Sequence, residues 1–378
     1  MTIERPLPYG DARARLGSSL EAIRQKWPGA RLESHALGAG KDLTIDVLWA
    51  EPQRPEQWLV LTSGLHGIEG HLGAEMLDLF AREFVPRLDP RTTGIALVHP
   101  VNPWGMRYGR RTNAGGVDLN RNFIWDSTGS TPGDQLFDRL TNSEYGELGF
   151  LNPVRPVRGV GRSTLEFGVG LIVGLIRMGQ RRLTRATLLG QYADPQGVYF
   201  GGHERQEETQ RLADVFERAL ARSSRVVSLD MHSGYGPRYQ MSVVASPLAA
   251  EPAAEIARRI GYPRVVKATG EEFYAISGDM IDYIYKLREA HYPDRHLFAA
   301  AFEFGTFGES FSALLRSLRI TVLENQAYIC GASVSAGRWI EREWRELFFP
   351  GEVRWWGRAR ADARQAFEGI LRAEGMLA

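Results

Sequence analysis

Apolar residues recur along the chain at two spacings, and these predict alternating strands and helices. Short, nearly continuous apolar runs are typical of buried strands, whereas apolar residues three and four positions apart are typical of amphipathic helices. The pattern predicts strands at residues 43–50, 57–62, 94–99, 225–230, 240–245 and 297–304, and helices at residues 11–27, after residue 67, and at residues 204–222, 252–260 and 279–289. This alternation favours an α/β fold of three layers, in which helices cover both faces of a mixed, mostly parallel sheet.

The segment at about 126–200 departs from this pattern. It is rich in glycine and arginine, has weak periodicity and contains Pro153, Pro156 and Pro195. We interpret it as an insertion or lid rather than as a core element. From about residue 312 to residue 378 the chain is predicted to form a helical tail. We expect a single domain over residues 1–378, because the candidate functional residues described below extend from residue 66 to residue 303.

Charge and cysteine content exclude several classes of protein. Among 378 residues, 46 are Lys or Arg and 45 are Asp or Glu, so the formal net charge is +1. Neither nucleic acid nor a membrane is an expected partner, because no overall field would attract a polyanion. The single cysteine, Cys330, excludes an intrachain disulfide and a cysteine-type zinc site. Residues 1–10 lack the apolar core of a signal peptide, so a soluble, cytoplasmic, bacterial protein is expected.

Polar side chains follow three of the predicted strands, and a carboxylate lies inside a fourth. His66 and Glu69 follow the strand at 57–62, Asp118 ends the loop after the strand at 94–99, His232 follows the strand at 225–230, and Glu303 lies within the strand at 297–304. Open α/β sheets bind their ligands beyond the carboxyl ends of the strands. The His-x-x-Glu pair together with His232 matches the two-histidine, one-glutamate set of catalytic zinc sites.

Glu303 needs an explanation because an unpaired carboxylate in an apolar strand is costly. A general base that faces a metal-activated water provides one explanation, and a salt bridge to an arginine is the alternative. His71, five residues after His66, is an alternative ligand to Glu69, although a histidine on a helix surface is the simpler interpretation. The chain contains neither HExxH nor GxSxG, which disfavours thermolysin-like and serine hydrolases.

The motifs occur in a fixed order from about residue 57 to residue 310. In this order they resemble the carboxypeptidase A-like zinc metallopeptidases, also called funnelins. The matching motifs are HxxE at 66–69, NPxG at 102–105, DxNRN at 118–122, His-Ser at 232–233 and the late Glu303. A further phrase, Gly190-Gln191-Tyr192 followed by residues 197–202, resembles a bacterial branch that is known mainly as a domain of unknown function.

The resemblance implies a role for each matched residue. It implies that His66, Glu69 and His232 hold one Zn²⁺ per chain, that Glu303 is the general base, and that Asp118 orients His66. For the substrate it implies Asn120 and Arg121 as anchors of a terminal carboxylate, Arg110 of the run Arg110-Arg111-Thr112 as the group that polarises the scissile carbonyl, with Arg111 as its rival, and Tyr285 as the mobile active-site tyrosine.

The implied function is zinc-dependent hydrolysis of an amide bond next to a free carboxylate, in a small peptide or acyl-amino-acid substrate. Two alternatives stay open. One is an acylamino-acid amidohydrolase of the aspartoacylase and succinylglutamate desuccinylase type, which shares HxxE, DxNR and a later histidine. The other is a non-catalytic zinc-containing binding module. The run Glu303-Phe304-Gly305-Thr306 lacks the Glu-Leu-Arg that is common in the resembled family, so the substrate need not be a plain peptide. The sequence does not indicate the oligomeric state.

Overall fold

Eight strands form one mixed sheet in a computed structural model that describes residues 8–125, 137, 143–269 and 277–377. The strands are β1 (Arg31–Leu37), β2 (Gly40–Ala50), β3 (Gln57–Ser63), β4 (Thr93–His99), β5 (Arg225–Gly234), β6 (Met241–Ala245), β7 (Val265–Lys267) and β8 (His296–Gly305). Their order across the sheet is β1-β2-β4-β3-β5-β8-β6-β7. The central four, β4, β3, β5 and β8, are mutually parallel, while β2 and β6 run antiparallel to them.

Helices connect and cover these strands. The described α-helices are α1 (Tyr9–Arg24), α2 (Gly70–Glu83), α3 (Pro103–Tyr108), α4 (Ser143–Gly146), α5 (Val160–Leu188), α6 (Glu207–Arg222), α7 (Ala253–Ile260), α8 (Met280–His291), α9 (Phe311–Cys330), α10 (Val334–Phe348) and α11 (Val353–Ala373). Short 3₁₀ turns at Gly67–Glu69 and Leu119–Arg121 follow β3 and β4 in the chain. None of the described helices combines the length and the apolarity needed to cross a bilayer.

The sheet is buried on both faces, which confirms the predicted three-layer α/β fold. Side chains alternate along a strand, so Leu59 and Leu61 enter one core with α1, α2, α7, α10 and α11. Trp58 and Val60 enter the other core, with α6 and α8. Burial on both faces explains why the central strands are nearly continuous apolar runs in the sequence.

Two strands at the edges of the sheet and one long helix were not predicted. The edge strand β1 has mostly half-exposed, polar side chains, so its sequence lacks an apolar run. The weak periodicity of the segment at 126–200 does not predict a helix, yet from residue 160 onward this segment forms α5, which spans 29 residues. Several glycines interrupt its pattern, and at Gly179 (φ 73°) the helix is broken. Residues 126–136 and 138–142 of this segment lie outside the described residues, and its role as a lid stays a prediction.

The register of the central strands brings the candidate residues to one edge of the sheet. His232 on β5 is directly paired with Glu303 on β8, and Thr62 at the end of β3 is paired with Asp230 on β5. His66 lies three residues beyond the end of β3. The carboxyl ends of the parallel strands therefore form the floor of a site, as expected for open α/β sheets.

Candidate metal centre

A tight turn after β3 fixes the first two candidate ligands. The backbone N–H groups of Gly67 and Ile68 donate to the carbonyl oxygens of Arg111 and Arg110, at 3.2 and 2.9 Å. Gly67 lies directly against the backbone of Gly105 in α3, and a Cβ atom at residue 67 would lie 2.2 Å from the Gly105 carbonyl carbon. A glycine at this position therefore lets the turn between the two ligands pack onto α3.

Three side chains converge above the strand ends. Glu69 Oε1 lies 2.9 Å from His66 Nδ1, and Glu69 Oε2 lies 3.1 Å from His232 Nδ1. One ligand atom from each of the three residues can be chosen so that all lie within 4.8 Å of one another, and the residues are between 1 and 6% exposed. Two imidazole nitrogens and a carboxylate that face a common point are the donor set of a catalytic zinc site, so these residues fit the implied metal.

Each histidine is held on its opposite nitrogen by a carboxylate. His66 Nε2 lies 3.1 Å from Asp118 Oδ1, and His232 Nε2 contacts Asp230. Asp118 and Asp230 are fully buried. Such pairs fix the ring orientation and the tautomer, and they leave both Nδ1 atoms available to a metal. The family resemblance implied the Asp118 contact but not the Asp230 contact. Asp230 lies two residues before His232 on one strand, and this spacing places both side chains on the same face.

Electrostatics at the centre favour charged ligands. Burial by itself raises the pKa of Asp118, but the nearby Arg111, Arg121 and His66 hold it well below its ordinary value. Burial likewise acts to raise the pKa of Glu69, and His66 and His232 more than offset this. Both carboxylates are therefore ionised at neutral pH, which suits residues that bind or support a cation.

Glu303 lies beside the three candidate ligands but has a different environment. It is 6% exposed, and its Oε1 accepts a hydrogen bond from the backbone N–H of Tyr235 at 3.0 Å. Burial raises the pKa of Glu303 to about 8. His232 acts to lower this pKa, and the negative charge of nearby Glu69 acts to raise it. Within the part of the chain that the structure describes, Glu303 forms no ion pair with an arginine, so the salt-bridge alternative has no support there.

Arg111, not Arg110, extends into the centre, and this corrects the preferred assignment. The Nε of Arg111 donates to Asp118 Oδ2 at 2.9 Å, and its Nη2 lies 2.7 Å from His66 Nε2. Arg110 points away, where it pairs with Glu324 and lies 3.9 Å from the centroid of the Tyr328 ring. The carbonyl oxygens of Arg110 and Arg111 accept hydrogen bonds from the backbone of Ile68 and Gly67, which fixes the backbone at both residues. Their two side chains then leave the loop in different directions.

Asn120 and Arg121 belong to the 3₁₀ turn after Asp118, but the structure separates their surroundings. The amide of Asn120 donates to Asp279 at 3.1 Å and accepts from the backbone N–H of Met280 at 3.0 Å, so it joins the turn to the start of α8. These two bonds use one N–H and one oxygen lone pair of the amide, so its role as a carboxylate anchor stays a prediction. Arg121 is 2% exposed, and its Nη1 lies 3.8 Å from Asp118.

The structure does not bring Tyr285 to the centre, which corrects that assignment. Tyr285 belongs to α8 and its side chain is buried in the core, where its hydroxyl accepts a hydrogen bond from the backbone N–H of Ala299 at 3.2 Å. Ala299 precedes Glu303 by four strand residues, roughly 13 Å at the usual rise per residue. Tyr199 is the tyrosine near the two arginines, with its ring centroid 5.8 Å from the Arg111 guanidinium carbon and 5.6 Å from that of Arg121.

His71, the alternative ligand, lies outside the group of three. Its ring packs against Phe349 with the centroids 5.2 Å apart.

Tyr199 adopts a left-handed backbone conformation (φ 59°), which is uncommon for a residue that is not glycine. Tyr199 belongs to the phrase singled out in the sequence, but nothing in the sequence assigned it a place beside the arginines.

Fold and site together define an α/β protein with a buried His-Glu-His centre at the carboxyl edge of its sheet. Residues 8–361 match the family model DUF2817, described as a protein of unknown function, and the chain belongs to this family. This confirms the resemblance to a branch that is known mainly as a domain of unknown function. No curated protein matches the sequence.

Solved structures similar to the chain share little sequence with it. Carboxypeptidase A from Helicoverpa armigera is 14% identical, with a TM-score of 0.45 over 92% of this chain and 75% of that chain. Bovine thrombin-activatable fibrinolysis inhibitor is 15% identical, with a TM-score of 0.44 over 86% of this chain and 97% of that one. The ectoine utilization protein EutE from Ruegeria pomeroyi is 14% identical, with a TM-score of 0.36 over 80% of this chain and 66% of that one. At this level of similarity these proteins assign no activity to the chain.

Proposed function

We propose that the protein is a zinc-dependent hydrolase that cleaves an amide bond next to a free carboxylate. The observation that carries the proposal is the convergence of His66, Glu69 and His232 with the buried carboxylate of Glu303 beside them. A structural metal site needs no such neighbour, whereas hydrolysis needs a proton acceptor at the reacting water.

The chain's own groups divide the chemistry between them. Zinc held by His66, Glu69 and His232 would act as a Lewis acid and lower the pKa of a water. Glu303 would take the proton of the attacking water on a carboxylate oxygen and return it to the leaving amine. The positive charge of an ion at the three ligands would lower the raised pKa of Glu303 toward the range in which it accepts that proton.

Two arginines give the site a preference for anionic substrates. Arg111 would polarise the scissile carbonyl in place of Arg110, because its guanidinium is the one that lies beside His66. Arg121 would anchor the substrate carboxylate, since a planar guanidinium can offer two parallel N–H donors. Tyr199 lies against both guanidinium groups and would keep them apart.

The test compares substrates that differ only at the carboxylate. N-acyl amino acids, blocked dipeptides with a free carboxyl end and the amides of both are assayed with the zinc-loaded wild type. We expect the free acids to be preferred by about 10- to 150-fold in kcat/KM, the value of a charge-assisted bidentate contact. Turnover of N-acyl amino acids alone would assign the amidohydrolase alternative, and turnover of the peptides would assign a carboxypeptidase.

The matched variants separate chemistry from binding. Glu303→Gln should lower kcat by roughly 10²- to 10⁴-fold, the usual share of general acid–base catalysis, while zinc stays bound. Arg121→Ala should remove the preference for the free acid. Unchanged turnover in Glu303→Gln would reject the mechanism. A zinc-loaded wild type that turns over none of the substrates would instead favour a binding module.

A further inference from the structure

Helix α5 has apolar side chains on two sides, and only one side is packed. Phe167, Leu171 and Met178 are 7 to 8% exposed and form a small core with Val322 of α9. On another side of the helix lies a row of exposed residues that we call the apolar stripe. Its members and their exposed fractions are Leu165 (68%), Val169 (54%), Ile172 (57%), Val173 (39%) and Ile176 (80%).

The apolar stripe is a continuous surface feature. Its residues are spaced by three and four positions, so they lie along one side of the helix over about 16 Å. Their high exposure means that they project from the surface rather than line a cavity. Scattered exposed apolar residues are ordinary, but a contiguous row of five marks an interaction surface.

The charges around the apolar stripe are unbalanced in a chain that is balanced as a whole. Between residues 155 and 185 the sequence has seven arginines and one acidic residue, Glu166, although the full chain has 46 basic and 45 acidic residues. Arg158 and Arg162 are exposed before the apolar stripe, and Arg177 and Arg182 are exposed after it. Glu166 pairs with both Arg155 and Arg162, and Glu147 lies 3.9 Å from Arg182. The arginines outnumber these acidic partners at both ends of the exposed row, so both ends keep an excess of positive charge.

We propose that α5 docks the protein peripherally on an anionic lipid bilayer, with the apolar stripe in the interface and the arginines on the headgroup phosphates. A helix with an apolar side and arginines beside it is the arrangement that binds at such interfaces, with about 1 kcal/mol from each basic residue near the surface. The helix lies on the membrane and does not cross it, since none of the described helices is long and apolar enough to span a bilayer. The proposal is independent of the proposed hydrolase activity.

Charge decides against a second copy of the chain as the occupant. If two apolar stripes packed together in either direction, arginines at the ends of one helix would face arginines of the other. Like charges across an interface are costly, whereas phosphates neutralise them. The near-zero net charge led to the expectation of no membrane partner, and the local distribution along α5 revises that expectation.

Sedimentation with vesicles tests the proposal on the full chain. We expect wild type to sediment with vesicles of phosphatidylcholine and phosphatidylserine, and far less with phosphatidylcholine alone. Ile172→Asp/Ile176→Asp should lower the bound-to-free ratio at least about tenfold, because two buried aliphatic contacts are replaced by anions. Arg158→Glu/Arg177→Glu should lower it by at least about 30-fold, because two attractive charges are lost and reversed. Val334→Asp, at a residue of α10 that is 73% exposed, is the control and should bind as wild type.

A second measurement does not depend on the folding of the aspartate variants. The only cysteine is Cys330, so Cys330→Ser/Ile176→Cys carries a single thiol for an environment-sensitive dye. The dye should shift to the blue on phosphatidylserine vesicles at residue 176, but not in the control Cys330→Ser/Val334→Cys. Absence of both the shift and sedimentation overturns the proposal. A dimer seen by light scattering that Ile176→Asp abolishes, without vesicle binding, would overturn it in favour of a second copy.

Discussion

At the scale of single residues, the centre depends on which nitrogen of each histidine is available. Asp118 and Asp230 occupy the Nε2 side of His66 and His232, so both Nδ1 atoms face Glu69. The buried carboxylates fix this choice before any metal binds. The three candidate ligands are thus prearranged by their neighbours.

The first prediction concerns metal content. Purified wild type should carry about one zinc per chain by elemental analysis, and His66→Ala/His232→Ala should carry none. His71→Ala is the matched control, because His71 lies two residues from Glu69 yet packs on Phe349, and it should retain the metal. Full zinc retention in the double variant would show that the metal binds elsewhere.

The second prediction separates the two adjacent arginines. Arg111→Ala should lower kcat/KM, because its side chain extends into the centre, with a moderate loss of stability, because Arg121 and His66 still face the buried Asp118. Arg110→Ala should lower the free energy of unfolding by about 3 kcal/mol, since it leaves the carboxylate of Glu324, which is only 14% exposed, without its partner.

Removing both partners of the Arg110 pair provides the control. Arg110→Met/Glu324→Leu should recover most of the lost stability, because no unpaired charge is then buried. Chemical denaturation of the three proteins measures the effect. A loss of activity in Arg110→Ala at full stability would restore Arg110 as the group at the carbonyl.

At the scale of secondary structure, the ligand turn depends on its contact with α3. The third prediction is that Gly67→Ala lowers stability by about 1–3 kcal/mol, since the new methyl group would overlap the backbone of Gly105. The turn carries His66 and Glu69 on either side, so zinc affinity should fall as well. Gly17→Ala on α1, where a Cβ meets open space, should leave zinc binding unchanged. Wild-type zinc affinity in Gly67→Ala would show that the turn can shift without the ligands.

Another set of elements is joined by one buried carboxylate after the end of α11. Glu374 lies 2.9 Å from Arg225 of β5, 2.5 Å from Arg259 of α7 and 2.7 Å from His296 of β8. Burial acts to raise the pKa of Glu374, but His296 and Arg259 lower it below its ordinary value. The folded state therefore favours the ionised carboxylate more than the unfolded state does.

The fourth prediction follows from the sign of that shift. A lowered pKa contributes stability that is present above the unfolded value of about 4.3 and lost as the pH falls through the folded value. Glu374→Gln should lower Tm by a few degrees at pH 7, and the difference from wild type should shrink below pH ~4.3. Glu341→Gln, at a side chain that is 71% exposed, is the control and should change Tm little. A Tm difference that is independent of pH would exclude this linkage.

At the scale of the whole molecule, the segment that contains α5 also reaches the centre. The Tyr192 hydroxyl donates to the carbonyl oxygen of Arg121 at 2.7 Å, and Gly190 packs directly on the Arg121 side chain. Tyr199 lies against Arg111 and Arg121. The insertion therefore contributes to the wall of the proposed substrate site.

The fifth prediction is a preference for small substrates. If the insertion narrows the access to Glu303 and the ligands, folded proteins cannot bring a carboxyl end to them. Short peptides or acyl amino acids should be cleaved, and the carboxyl ends of intact folded proteins should not be trimmed, as measured by mass spectrometry. Efficient trimming of folded proteins would exclude the lid.

The apolar pattern and the motifs were enough to predict the layers, the central strands and the three candidate ligands. Continuous apolar runs identify strands buried on both faces because packing requires them, and the motifs lie where those strands end. The close spacing of His66 and Glu69 made their pairing predictable, since a short turn holds them together. Edge strand β1 was not predictable in the same way, because half-exposed strands need no apolar run.

The direction of side chains that leave a loop depends on contacts made by folding and could not be predicted from the sequence. Arg110 and Arg111 are adjacent residues of the same type. Arg110 pairs with Glu324, whereas Arg111 donates to Asp118, so their side chains lie in different places. Asn120 belongs to the DxNRN motif, but its amide is hydrogen-bonded to the start of α8. The order of the motifs predicts which segments of the chain lie near the site. The direction of each polar side chain depends on the partner that folding brings within hydrogen-bond distance. Those partners lie more than 150 residues away for Arg110 and Asn120, so neither spacing nor periodicity encodes them.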